Sequence, residues 1–342
     1  MLFEGAEAPG APRRAASGER RAASGERRAA ARAMPEMSQN VAVSDGRLEA
    51  GAGRFRGFGA LYDEVRPVPP VELGELIAGY CGARPRLVVD LGSGTGLSTR
   101  WAARWATEVV GVEPSRDMRE TAERRAEAKV SYVAGWSHET GLGSGAADVV
   151  LAVQALHWME PEPTFREVGR ILRRGGVFAA IDCDWPPVVG DCIAEQAWDD
   201  CRRRIRVFET RLAQGLSGSV LRAPIASSDQ PATSRSGADG HGDRPLPEGV
   251  RSWSKSAHLD RMLASGEFAW GREVALASTD EGGAARFVRL LESQGDYQTV
   301  RRHGLTDAEL GVDRFRRVAL ERLGDQRRAW RFVYRARLAF AR

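Results

Sequence analysis

The sequence predicts an α/β protein built on a doubly wound, mostly parallel sheet, and two observations carry that prediction. The first is Leu87-Val88-Val89-Asp90-Leu91, an apolar run holding one acid, followed by Gly92-Ser93-Gly94-Thr95-Gly96 with glycines on alternate positions. Leu97-Ser98-Thr99-Arg100-Trp101-Ala102-Ala103 then opens a helical pattern. A buried strand feeding a glycine turn and a helix is a device for holding a nucleotide-like ligand, because glycine takes positive φ and lets the backbone approach closely. The second observation is another apolar run, Val109-Val110-Gly111-Val112, ending at Glu113, 23 residues after Asp90. A carboxylate about 20 residues along suits a free ribose diol and repels a 2′-phosphate. Asp90 is placed to accept from an amine or hydroxyl.

The other elements follow in order. Val71 to Tyr80 reads as a helix covering the sheet, and Val130-Ser131-Tyr132-Val133-Ala134 as a third strand. Gly135 to Leu142 is a loop, Asp148 to Val153 a fourth strand, and Gln154-Ala155-Leu156-His157-Trp158 the segment leaving it. Ser115 is the expected N-cap of the helix after strand two. Phe165 to Leu172 reads as a short helix, and Arg173 to Ile181 as a turn into strand five. Asp191 to Gln214 is a long amphipathic helix, with Ile193, Ala197, Trp198, Cys201, Ile205, Phe208 and Leu212 on one stripe. Residues 215–250 are rich in Ser, Gly, Pro and Asp and read as a mobile insertion. A sixth strand is expected near 270–278, helices over Ala284 to Gln294 and Thr306 to Leu323, and a last antiparallel strand over Trp330 to Phe340. Thr306-Asp307-Ala308-Glu309 has capping-box form.

The stretch from Asp90 to Gly96 resembles motif I of class I S-adenosylmethionine-dependent methyltransferases. A dinucleotide turn would carry its third glycine at Leu97. Gly111-Val112-Glu113-Pro114-Ser115 with Met118 resembles the second strand of that family and the helix that follows. Together these segments resemble the type 11 methyltransferase domain over residues 55–190. The His157-Trp158 pair narrows this to a subset resembling trans-aconitate methyltransferases and related small-molecule enzymes. The resemblance implies a Rossmann-like, seven-stranded sheet and S-adenosylmethionine as cofactor. It implies cofactor contacts from Asp90, Leu91, Gly92, Ser93, Gly94, Glu113, Pro114, Ser115, Met118, Trp136, Ser137, Gln154 and Ala155. Trp136 and His138 stand where relatives carry acids that meet the adenine amine, so Ser137 or backbone groups would read the adenine and Trp136 would stack on it.

The resemblance also implies a lid from residues 55–70 over the cofactor, with Tyr62 and Arg66 near the S-adenosylmethionine carboxylate or an anionic substrate, and a pocket floor of Tyr62, His157 and Trp158. Residues 191–328 are expected to form a helical cap beside the site, and 329–342 to return to the sheet. Arg66 and an arginine of the cap such as Arg286 would favour an anionic acceptor, because a guanidinium fork matches a carboxylate. Methyl transfer from a sulfonium is an in-line displacement with an excellent leaving group, so the protein's task is positioning and desolvation. A base is needed only for an unionised hydroxyl or a carbon acid; His157 is the expected base and His138 the second choice. The expected function is methyl transfer to a small carboxylate, hydroxyl or amine, with a non-catalytic or regulatory S-adenosylmethionine-binding protein as the alternative.

Composition narrows the classes. The 342 residues are 42% apolar, enough for one large domain with an elaboration. No apolar run approaches the roughly 18 residues of a membrane span. The net charge is +4, and lysine occurs only at Lys129 and Lys255. No basic surface interleaved with aromatics and no Asn-Pro-Pro-Tyr-like motif after strand four points to nucleic acid. Cys81, Cys183, Cys192 and Cys201 lack metal spacing, so no metal is expected and the thiols read as reduced in a cytoplasmic monomer or homodimer. Residues 1–54 repeat Arg-Arg-Ala-Ala-Ser-Gly-Glu with little apolar surface, which predicts a disordered extension, dispensable before Met37. Asp182 and Asp184 are expected as a solvated pair at the end of strand five.

Overall fold

Parallel strands buried on both faces read as continuous apolar runs, and this sheet is built from them. The structure, a computed structural model, describes Gly57, residues 59–225 and residues 243–342; the expected N-terminal extension and residues 226–242 of the expected insertion lie outside the described residues. Strands β1 (Leu87–Leu91), β2 (Glu108–Val112), β3 (Val130–Val133), β4 (Ala147–Val153) and β5 (Leu172–Cys183) run parallel. A two-residue hairpin, β6 (Arg244–Pro245) with β7 (Arg251–Ser252), stands apart from the sheet. The last long strands, β8 (Phe268–Gly282) and β9 (Arg328–Ala341), complete a seven-stranded sheet of order β3-β2-β1-β4-β5-β9-β8, with β9 antiparallel to both its neighbours. Both strands are longer than the sequence predicts, because they pair with each other beyond the main sheet.

That overhang shapes the molecule. The pairing of β5 with β9 stops at Cys183 opposite Tyr334, whereas β8 and β9 stay paired to Gly282 opposite Arg328. Six more residues of β9, at about 3.3 Å each, carry the ribbon about 20 Å past the end of β5. Its inner face, Trp330, Phe332 and Tyr334, is buried.

The helices are α1 (Gly59–Val65), α2 (Val71–Tyr80), α3 (Leu97–Ala102), α4 (Arg116–Glu123), α5 (Pro161–Ile171), α6 (Cys192–Ala213), α7 (Gly218–Leu221), α8 (His258–Ala264), α9 (Ala284–Glu292), α10 (Gly295–Arg302), α11 (Asp307–Leu310) and α12 (Val312–Leu323). The overhanging ribbon packs with α6, α9 and α12 through Trp198, Phe287, Phe315 and Trp330, whose ring centroids lie 5.1 to 5.9 Å apart. Replacing Trp198 by alanine in such a cluster costs about 3–5 kcal/mol. Asp191 caps α6 by accepting from the amides of Ile193 and Ala194.

Several local expectations change. Ile193, placed on the apolar stripe of α6, is 47% exposed, because it lies in the first turn outside the packed cluster. Ser115 sits at the N-cap of α4 without a side-chain cap bond, its amide instead donating to Glu113. The capping box of Thr306 and Glu309 is present, but Gly311 takes a left-handed conformation and divides the expected long helix into α11 and α12. The flanks of the expected insertion are packed: Leu221, Leu246 and Val250 are buried despite the polar composition around them, and Leu221 joins the main apolar core.

Candidate active site

A cavity of about 740 Å³ opens at the carboxyl ends of the parallel strands, the end at which open α/β sheets bind ligands. At its centre the turn after β1 takes positive φ at Gly92 (65°), Gly94 (54°) and Gly96 (80°). A Cβ on Gly92 would stand 2.9 Å from both Ala155 and Met159, so only glycine passes there. Gly94 is different: it lines the cavity, and a Cβ there would meet nothing within 4 Å. Its side of the turn is open for a ligand.

Glu113, at the end of β2, forms the neighbouring wall. Its two carboxylate oxygens accept from the amides of Gly94 and Ser115, each at 2.9 Å. These bonds fix the carboxylate and leave each oxygen a lone pair for a diol. Burial pushes its pKa up, against the backbone amides and Arg119, which pull it down. Past β3 the wall continues with Trp136, Ser137 and His138, and Met118 comes up from α4. Trp136 stacks on His138 at 6.3 Å, and Ser137 shares a hydrogen bond with Thr164 at 2.8 Å. This half offers a carboxylate for a diol, an indole and a thioether for a flat base, and an open glycine turn. That donor set fits S-adenosylmethionine.

Asp90 does not line the cavity. It is fully buried under the turn, where one oxygen accepts from Ser98 and Thr99 at 2.7 Å each and the other has no partner among the described residues. Burial pushes its carboxyl up to about 6. One of its oxygens thus braces the turn against α3. Leu91 and Ser115 are likewise outside the lining, while Gly92, Ser93, Pro114, Gln154 and Ala155 are within it. Gln154 holds a non-glycine positive φ of 55° as the chain leaves β4.

The expected floor is only partly realised. Tyr62, Arg66 and Trp158 line the cavity, but His157, the expected base, does not. Its Nδ1 lies 3.8 Å from an Asp182 oxygen, and its carbonyl accepts from the Trp253 amide at 2.9 Å. In the 3-10 turn over Leu156–Trp158 the two rings stay 4.7 Å apart, with Trp158 lining the cavity and half-buried His157 just behind it, beside Asp182. Asp182 is no solvated acid: it is buried beside Arg337 (2.8 Å) and Lys255 (3.3 Å). Burial alone would raise its pKa, but Lys255, His157, His258 and Arg337 together hold it below the usual carboxylate range. Asp184 pairs with Arg335 at 3.0 Å. Arg286 pairs with Asp280 and donates to the Val65 carbonyl, outside the lining.

The far half of the cavity comes from residues the sequence did not mark. Cys183 ends β5 and Trp185 follows it, Tyr334 stands on β9, and Pro245, Gly249, Val250, Arg251 and Trp253 form a roof from the hairpin. The expected cap helices contribute no lining residue; they hold the ribbon and α1 in place. Glu64 of α1 pairs with Arg289 of α9, and Arg66 donates to the hydroxyl and carbonyl of Ser293, both at 2.9 Å. On its other side α1 engages the turn, through Asp63 with Thr95 (2.9 Å) and Arg100 (2.8 Å). Among the described residues no group of side chains is arranged to hold a metal, and no helix is long and apolar enough to cross a membrane.

Sheet order, the glycine turn and the acid after β2 define a Rossmann-like core with a cavity that fits S-adenosylmethionine. Residues 89–180 match the family described as "Methyltransferase domain". The chain is 35% identical over 127 residues to the "Probable S-adenosylmethionine-dependent methyltransferase CRG1" of Saccharomyces cerevisiae, covering 35% of this chain and 43% of that protein. It is 38% identical over 116 residues to an uncharacterized methyltransferase of Mycobacterium bovis, covering 34% and 46%. The chain thus spans less than half the length of these relatives. A solved structure described as a "Putative Type II Methyltransferase" from Anaeromyxobacter dehalogenans shares the fold, with a TM-score of 0.52 at 21% identity over 81% of this chain and 97% of that one.

Proposed function

We propose that this chain transfers a methyl group from S-adenosylmethionine to a small-molecule acid or phenol. The observation that carries this reading is the continuation of one roofed cavity past the glycine turn and Glu113 to a second, aromatic half bounded by Tyr62, Trp158, Trp185 and Trp253. A roof from the hairpin suits a small acceptor and excludes a duplex or a folded protein. S-adenosylmethionine supplies the activated methyl group when bound. Glu113 and the open face of Gly94 hold and orient it, and the indole and apolar walls exclude water from the line of transfer. His157 does not line the cavity, so carboxylates, already ionised, are favoured over phenols, which must first lose a proton.

Incubating the protein with methyl-labelled S-adenosylmethionine and a panel of small carboxylic acids, phenols and amines tests this. Label is expected in acids and phenols. Transfer to protein or DNA with none to small molecules would overturn the reading, and binding of S-adenosylmethionine without transfer to any acceptor class would favour the non-catalytic alternative.

A further inference from the structure

The two halves of the cavity sit on different strands. Glu113 ends β2 and Tyr334 stands on β9, four strand steps away through β1, β4 and β5. At about 4.8 Å per step this is about 19 Å across the sheet. A cofactor whose ribose lies at Glu113 and whose amino-acid end crosses the turn after β1 leaves the β5–β9 end to the acceptor.

Two groups at that end are short of partners. Tyr334 is 1% exposed, lines the cavity, and its hydroxyl has no hydrogen-bond partner among the described residues. Tyrosine hydroxyls normally find a partner when buried, because an unsatisfied one is costly. Arg66 spends Nε and Nη2 on Ser293, and among the described residues its Nη1 has no hydrogen-bond partner and the guanidinium makes no ion pair. Its guanidinium lies 4.7 Å from the ring centres of both Tyr62 and Trp185, so its plane is held between two aromatic faces. Arg66 is among the residues that line the cavity. Burial lowers the pKa of Arg66 and raises that of Tyr334, and Arg66 acts on the Tyr334 phenol electrostatically. The guanidinium stays charged over any ordinary pH and the phenol stays protonated. Cys183, opposite Tyr334 in the strand register, is a neutral thiol, its pKa driven well above the usual range by burial. No carboxylate lines this end to compete for the two donors: Glu113 and Glu160 are the acids of the lining, and they belong to the segments after β2 and β4.

We infer that Tyr334 and Arg66 form the acceptor-reading end of the cavity, where the phenol donates to an anionic oxygen of the acceptor and the guanidinium supplies the opposing charge. This rests on the small-molecule reading above and assigns it a specificity-determining residue, Tyr334. The flanking rings of Trp185 and Tyr62 suit a flat body behind that oxygen.

The test is a binding measurement with the full chain saturated with S-adenosylhomocysteine, using benzoate and its neutral isostere benzamide as probes. Wild type is expected to prefer benzoate by at least ~10-fold, the scale of a charge-assisted bond in a dry site. Tyr334→Phe keeps the ring and removes only the hydroxyl. It is expected to weaken benzoate about 10-fold, change benzamide by less than about 3-fold, and leave S-adenosylhomocysteine affinity within about 2-fold. Since the lost hydroxyl had no partner, the melting temperature of the ligand-free variant should not fall. Equal affinity of wild type for the two probes would overturn the inference. So would an unchanged benzoate affinity in Tyr334→Phe, or an equal loss of S-adenosylhomocysteine binding. The readout is separate from turnover: benzoate recognised by these rules without methylation of any small acid or phenol would contradict the proposed activity and support the subsite. Methylation of small molecules without anion preference would do the reverse.

Discussion

The two ends of the cavity are built in opposite ways. The cofactor end is local: Asp90, the glycine turn, Ser98, Thr99 and Glu113 lie within one β-α-β unit and brace one another. The acceptor end is assembled from Tyr62 and Arg66, Cys183 and Trp185, Trp253 and Tyr334, which meet only because β9 returns to the middle of the sheet and the hairpin folds over it. The first end depends on backbone conformation, the second on long-range packing and buried charge. Substitutions at the two ends should therefore fail differently.

The largest effect is expected at the charged support of the acceptor end. Arg337→Met leaves Asp182 without its 2.8 Å partner in a buried position, and breaking such a pair costs about 3–5 kcal/mol. Urea unfolding should show that loss, with S-adenosylhomocysteine affinity unchanged where the variant is folded. A loss under about 1 kcal/mol would mean that Lys255 alone neutralises Asp182. At the cofactor end, Gly94→Val puts a branched side chain at φ 54° and into the cavity. Calorimetry should show S-adenosylhomocysteine affinity reduced at least ~100-fold, about 3 kcal/mol. Retained affinity would move the ligand away from the turn.

Asp90 offers a pH signature. Its folded pKa, about 6, lies above the usual carboxylate value, so the fold binds its proton more tightly than the unfolded chain does. The sign follows: no cost below the unfolded value near pH 4, and a cost that grows as pH rises through 6. Asp90→Asn lacks this titration, so relative to wild type its ligand-free form should gain about 2–3 kcal/mol between pH 4 and pH 7. The difference between the two proteins cancels His258, which burial depresses to about 4 and which gives the opposite slope in both. A pH-independent difference would place Asp90 in a solvated site. The smallest effect is expected from Glu113→Gln. One of the two backbone amides it accepts from would face an amide NH2, costing the ligand-free fold about 1 kcal/mol, and loss of the charge-assisted bonds should weaken S-adenosylhomocysteine about 10-fold. A stability loss far larger than the binding loss would make Glu113 a structural brace alone.

The same contrast explains what the sequence could disclose. The α/β class, the strand-turn-helix unit and Glu113 were legible because their signals are short runs with fixed spacing, in which alternate glycines and a strand-end acid report their own geometry. Helix α2 was legible from its apolar spacing. Asp90 was identified as a candidate ligand contact, but spacing alone did not disclose that one of its oxygens braces the turn through Ser98 and Thr99. His157 was identified as the expected base, but the sequence did not disclose that its Nδ1 lies beside Asp182 while the neighbouring Trp158 lines the cavity. Tyr334 gave no signal, because in an alternating strand it reads as one more core residue. The hairpin was obscured by composition, since Pro and Gly suggest a loop whether or not Leu246 and Val250 beside them are buried.

The division of the cavity into a cofactor end and an acceptor end is tested most directly by a crystal structure of the protein with S-adenosylhomocysteine. The ribose hydroxyls are expected within hydrogen-bond distance of Glu113, the adenine beside Trp136 and Met118, and the Tyr334 hydroxyl free of any contact with the ligand. Ribose or adenine lying against Tyr334 and Arg66, with Glu113 bonded only to its backbone amides, would contradict the account.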